Sequence, residues 1–91
     1  MELSEIEYHA REALSGQNAV ALTYLTPTNN NEIALFVEGK ELNEQHLKGQ
    51  LKKIMPHYMV PARYILKDTF PINTNGKVNR IELKTILDES L

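Results

Sequence analysis

"EIALFVEG" runs from Glu32 to Gly39, and its reading decides how this chain folds. It places Ile33, Leu35 and Val37 on one face and Ala34 and Phe36 on the other. That is strand chemistry, with β-branched and aromatic side chains at alternate positions. The stretch before it, "NAVALTYL" (Asn18 to Leu25), is also β-rich and alternates weakly. Between them lies "TPTNNN", a polar turn segment too long for a two-residue hairpin. Antiparallel pairing is the economical expectation.

Helices are expected on either side. Ser4 and Glu7 form a capping-box pattern, and Leu3 and Tyr8 stand where a hydrophobic staple would. Ile6, Ala10, Ala13 and Leu14 make one apolar stripe, and Gly16 is a natural stop. A second helix is predicted from Glu44 to Met55, capped by Asn43, with Leu42 stapled to Leu47. Its expected buried stripe is Leu47, Leu51, Ile54 and Met55. Gly49 inside it costs about 1 kcal/mol relative to alanine, which suggests a close neighbour. Pro56 ends it. A third strand follows near Arg63 to Asp68. A last helix starts after Asn79, with Glu82 completing a second capping-box pattern and Leu83, Ile86 and Leu87 facing inward. The order is α-β-β-α-β-loop-α. This predicts an α+β fold, a small three-stranded sheet packed with about three helices in a single domain over residues 1–91.

Composition narrows the function. Apolar residues make up 42% and charged residues 24% of 91 residues, as in ordinary globular domains. No apolar run approaches the roughly 18 residues of a membrane span, and the acidic start is unlike a signal peptide. The absence of cysteine suits a cytoplasmic protein and excludes disulfides and thiolate metal sites. A net charge of −2 argues against a nucleic-acid partner. His9, His46 and His57 are widely spaced and make no metal-ligand pattern, so no metal site is expected. Lys48, Lys52 and Lys53 read as a solvated helix face. The serines (Ser4, Ser15, Ser90) include none after an aspartate, which sets aside a pantetheine-carrying domain.

"FPINTNGKVNR" (Phe70 to Arg80) sets Lys77 directly after the tight-turn signal Asn75-Gly76. It is no phosphate-binding P-loop, because it lacks the upstream glycine and the following Ser or Thr. Spacing alone leaves two readings of Lys77, a reagent on a loop tip or a surface lysine beside a turn.

The segment "LKKIMPHYMVPARYILKDTFPINTNGKVNRIELKTIL" resembles the C-terminal end of acyl- and aminoacyl-adenylate-forming enzymes. These include acyl-CoA synthetases, luciferases and the adenylation domains of nonribosomal peptide synthetases. That family shows a leucine-rich helix, Pro-x-Tyr-Met-Val-Pro, a strand, Leu-Pro-x-Thr-x-Asn-Gly-Lys-Val-Asp-Arg and a final helix. Pro56, Tyr58, Met59, Val60 and Pro61 match the first block. Pro71, Thr74, Asn75, Gly76, Lys77, Val78 and Arg80 match the second, with Asn79 in place of Asp. "MELSEIE" is similar to the family's Arg-Ile-Glu-Leu-Gly-Glu-Ile-Glu, with Ser4 for Gly, and "EIEYHAREA" resembles the D-alanine–carrier-protein ligase branch.

The resemblance implies a small C-terminal lid subdomain, beginning just after the family's hinge. The large N-terminal domain, with its phosphate loop and acyl pocket, lies outside these residues. Lys77 would be the catalytic lysine that stabilises charge on the α-phosphate of ATP during adenylation, with Asn75 and Gly76 supporting its loop. The lid would then rotate, and Glu2, Leu3 and Ser4 would line the passage for a pantetheine thiol, on coenzyme A or a carrier protein. ATP and Mg would be bound mainly by the large domain. The competing expectation is a stand-alone interaction module that keeps the lid fold without catalysis.

Overall fold

A computed structural model describes residues 3–89. The elements are α1 (Leu3–Ala13), β1 (Ala19–Leu25), β2 (Asn31–Glu38), α2 (Glu44–Ile54), a 3-10 turn (His57–Met59), β3 (Arg63–Lys67) and α3 (Arg80–Glu89). The fold is α+β, in the order read from the sequence. The sheet order is β1-β2-β3. β1 and β2 pair antiparallel, from Ala19 opposite Val37 to Leu25 opposite Asn31. β3 runs parallel to β2, with Leu35 opposite Tyr64. A parallel pair needs a long crossover, and α2 supplies it.

The two faces of β2 explain the layering. Ile33, Leu35 and Val37 join Ala19 and Ala21 in one apolar cluster, covered by Ile6 and Ala10 of α1 and by Leu47 and Leu51 of α2. Ala34 and Phe36 join Val20 and Tyr24 in a second cluster, covered by Phe70 and by Leu83 and Leu87 of α3. A strand buried on both faces carries apolar side chains throughout, so β2 is the centre of a three-layer arrangement.

Local signals hold in part. Asn43 accepts the His46 N–H at 3.0 Å and caps α2. Asn79 accepts the Glu82 N–H at 3.1 Å and caps α3. The reciprocal half of that box is not made, because the Asn79 N–H goes to the Pro71 carbonyl at 2.8 Å. At the end of α1, the Gly16 N–H reaches back to the Arg11 carbonyl at 3.0 Å. The left-handed turn there is shared by Ser15 (φ 58°) and Gly16 (φ 97°).

Four expectations are corrected. α1 already includes Leu3, so Ser4 lies within its first turn, and Glu7 is buried in another role described below. Tyr8 faces solvent at 57% exposure and makes no staple, while Leu3 packs against the core. Ile54 is 53% exposed, because α2 meets the sheet through Leu47 and Leu51, and Met55, which also packs there, lies just past the helix end in extended conformation. Gly49 has no close neighbour among the described residues, since a Cβ built there would meet nothing within 4 Å.

Candidate functional site

The site is built on the return from β3 to α3. Phe70 buries its ring against Phe36, Leu83 and Leu87, and ends the exposed turn after β3. The chain then leaves the core, turns back and re-enters at Val78, which packs on the same cluster. Ile72 and Val78 form an antiparallel bridge, and the bond from Asn79 N–H to the Pro71 carbonyl draws the two roots together. Residues 73–77 form the tip.

Asn73 organises that tip. Its side-chain oxygen accepts the N–H of Asn75 at 2.9 Å and of Lys77 at 3.1 Å. Its own N–H donates to the Lys77 carbonyl at 2.8 Å, and its carbonyl accepts the Gly76 N–H at 3.0 Å. Gly76 has φ 78°, where a Cβ is penalised, although open space surrounds the position. Glycine is therefore required by backbone conformation and not by crowding. Lys77 is tied on both sides of its Cα, while its side chain is exposed and no described residue pairs with its ammonium. Two exposed isoleucines, Ile72 at 57% and Ile81 at 82%, flank it in sequence.

The threonine of the family pattern, counted from Pro71 to Gly76, falls on Asn73, and Thr74 occupies the variable position beside it. The hydrogen bonds agree, since Asn73 holds the turn. An Asn two residues before a turn residue is an Asx-turn signal, so this role was readable in the sequence.

Two carboxylates hold the roots of the loop. Glu38, at the end of β2, accepts the Phe70 N–H at 2.7 Å and the Asn18 amide at 2.8 Å. The Phe70 N–H first, and Asn18 second, hold the Glu38 carboxyl below its ordinary range. Glu7 of α1 is 4% exposed. It accepts the Ala21 N–H at 2.8 Å and an N–H from each terminal guanidinium nitrogen of Arg80, at 2.9 and 3.2 Å. The same hydrogen bonds raise Arg80 above its ordinary value. Partners 32 and 73 residues away leave no local signal, which is why both roles escaped the sequence.

The remaining expected residues lie elsewhere. Leu3 packs into the cluster beneath α1 and α2, on the opposite face of the sheet from Val78. Ser4 is exposed in the first turn of α1, and Glu2 lies outside the described residues. Lys48 and Lys52 border an open groove of about 420 Å³ with His57 and Tyr58, whereas Lys53 does not. Among the described residues no helix is long and apolar enough to cross a membrane.

No family model matches the chain. In sequence it is 34% identical over 80 residues to surfactin synthase subunit 1 of Bacillus subtilis (strain 168), across 88% of this chain and 2% of that protein. It is 31% identical over 105 residues to a nonribosomal peptide synthetase of Aspergillus sclerotiorum, across 92% of this chain and 8% of that protein. A solved four-domain nonribosomal peptide synthetase bound to AMP and glycine superposes with a TM-score of 0.80 at 36% identity, covering 89% of this chain and 6% of that one. A Mycobacterium tuberculosis fatty acyl CoA synthetase shares the fold, with a TM-score of 0.84 at 19% identity, covering 96% of this chain and 18% of that one. The chain thus spans a small fraction of the length of the relatives it matches.

Proposed function

The chain belongs to the acyl- and aminoacyl-adenylate-forming superfamily, as the counterpart of its C-terminal subdomain, and on that premise we propose that it is the mobile lid of an AMP-forming acid–thiol ligase. The observation that carries this reading is Lys77, whose backbone is fixed by Asn73 while its ammonium stays available. In adenylation a carboxylate oxygen attacks the α-phosphorus of ATP, the bond to the bridging oxygen breaks, and pyrophosphate leaves with the electron pair. Charge gathers on the α-phosphate oxygens. A preorganised ammonium lowers the energy of that state more than that of the bound substrate.

The lid then rotates and presents its other side, including Leu3 and Ser4, to a pantetheine thiol. The placement of Leu3 and Val78 on opposite faces of the sheet supports two working faces on one body. The thiol belongs to coenzyme A or to a carrier protein. ATP and Mg are held mainly by the large partner domain. Among the described residues no three His, Asp or Glu side chains stand together as metal ligands. The assembled enzyme works in the cytoplasm, and the lid apart from the large domain has no ligase activity of its own.

The test separates the two half-reactions, using the chain together with its large adenylating domain. Lys77→Ala should lower ATP–pyrophosphate exchange about 10²–10³-fold, the usual loss for a preorganised donor. Thioester formation from synthetic adenylate should be spared. Lys77→Arg should rescue poorly, because a planar guanidinium differs in shape from an ammonium. Lys53→Ala is the control. Lys84 is unsuitable, since it donates to the Thr23 carbonyl at 3.1 Å and so ties α3 to β1. Equal loss in both half-reactions, or none in either, returns Lys77 to the surface.

A further inference from the structure

Glu7 and Glu38 lie outside the loop that carries Lys77, yet each grips one of its roots. The geometry assigns them as positioning residues for Lys77, acting through Arg80 and through the Phe70 backbone. This assignment rests on the lid reading above.

The exit root is Arg80, three residues after Lys77. A fully extended chain gains about 3.3–3.6 Å per residue, so the Lys77 Cα lies within roughly 11 Å of the Arg80 Cα. Glu7 binds the Arg80 guanidinium through two parallel bonds, at 2.9 and 3.2 Å, which fix its direction as well as its distance. The same carboxylate takes the Ala21 N–H at 2.8 Å. One side chain thus joins α1, β1 and the start of α3. Burying a carboxylate is costly, and an apolar residue of similar size often serves stability as well. Retaining a buried charge here makes sense as a device that fixes one geometry.

The entry root is Phe70. Its N–H meets the Glu38 carboxylate at 2.7 Å, and the other oxygen of Glu38 is held by the Asn18 amide at 2.8 Å. Glu38 closes β2, the central strand, so the root is referred to the most buried element of the fold. Between the roots, the bond from Asn79 to Pro71 and the pairing of Ile72 with Val78 transmit both constraints to the tip. A catalytic group must be held to within a fraction of an ångström, and supporting residues commonly do this.

Two variants test the assignment. Glu7→Gln keeps an oxygen for the Ala21 N–H but loses the twofold grip on Arg80. Glu38→Ala removes the acceptor for Phe70 at a partly exposed position, so it remains informative if Glu7→Gln folds poorly. In the 91-residue chain, amide hydrogen exchange at Asn73, Lys77 and Asn79 should accelerate about tenfold or more, with Leu35 still protected. Unchanged exchange at these amides in both variants overturns the assignment.

With the large domain present, each variant should lower the kcat of ATP–pyrophosphate exchange about 10- to 100-fold, the scale of a small misplacement. Thioester formation from preformed adenylate should hold. In a Lys77→Ala background neither variant should reduce exchange further. Additive losses would show that the carboxylates act on something other than Lys77 and would overturn the assignment. If Lys77→Ala itself changes nothing, the lid reading fails and this role for the carboxylates fails with it. Faster exchange at the loop amides would then show only that they shape the loop.

Discussion

The side-chain oxygen of Asn73 accepts the backbone N–H of Lys77 at 3.1 Å, and the Asn73 N–H returns to the Lys77 carbonyl at 2.8 Å. The two residues close a small ring around Thr74, Asn75 and Gly76. This holds the Lys77 backbone in place without touching its ammonium.

Asn73→Ala should therefore loosen the tip while leaving the core intact. Each lost side-chain bond is worth about 0.5–1.5 kcal/mol where it is fully made. At an exposed tip the global loss should stay near 1 kcal/mol or below, whereas Lys77 amide exchange should rise sharply. Asn73→Thr keeps one acceptor oxygen and should retain most of the protection. Exchange measured by NMR decides the matter. A Lys77 amide equally protected in Asn73→Ala would remove Asn73 from this role.

Gly49→Ala should stabilise the chain by about 1 kcal/mol, because alanine is the better helix former and its methyl group meets open space. For a domain of this size that corresponds to roughly 4–8 °C in melting temperature. Denaturant and thermal midpoints should rise together. A fall in both would mean that the added methyl group does not meet open space on α2.

Tyr64 of β3 carries a buried hydroxyl with no hydrogen-bond partner among the described residues. Burial first, and the nearby Glu44 charge second, push it up to about 12. Tyr64→Phe should thus be neutral or stabilising by up to about 1 kcal/mol, since it removes a polar group that folding leaves unpaired. A raised tyrosine contributes stability that is fully present below the ordinary value of 10.0 and lost as pH rises through about 12. Ultraviolet titration should show one of the four tyrosines ionising last, and that step should vanish in Tyr64→Phe. A destabilised Tyr64→Phe would mean that the hydroxyl is hydrogen-bonded after all.

Glu38 titrates in the opposite sense. Its folded value is lowered by the Phe70 N–H and Asn18, so its contribution is present above the ordinary value of 4.5. It is lost as pH falls from there through the lowered folded value. Urea midpoints measured across that acidic range should fall more steeply in the wild type than in Glu38→Gln, which has no proton to gain. Parallel curves would show that the carboxylate is not engaged with Phe70 in solution.

How much of this molecule was legible depends on the distance over which each cause acts. The order of elements, the caps at Asn43 and Asn79, the two apolar faces of β2 and the turn at Asn75-Gly76 follow from neighbours within a few residues, and the sequence by itself determined them. The same applies to the motif around Lys77, whose pattern lies in one short stretch. Tertiary structure alone decided that β3 runs parallel beside β2, that Ile54 faces solvent and that Gly49 is unhindered. Those outcomes depend on which surface meets which. Glu7 shows the difference most plainly. Its spacing from Ser4 satisfies a local capping rule, yet its carboxylate lies buried against Ala21 and Arg80. A guanidinium 73 positions away outweighs a local cap, because a bidentate pairing with a half-exposed Arg80 and a backbone donor beside it satisfy the buried carboxylate better than one exposed N–H does.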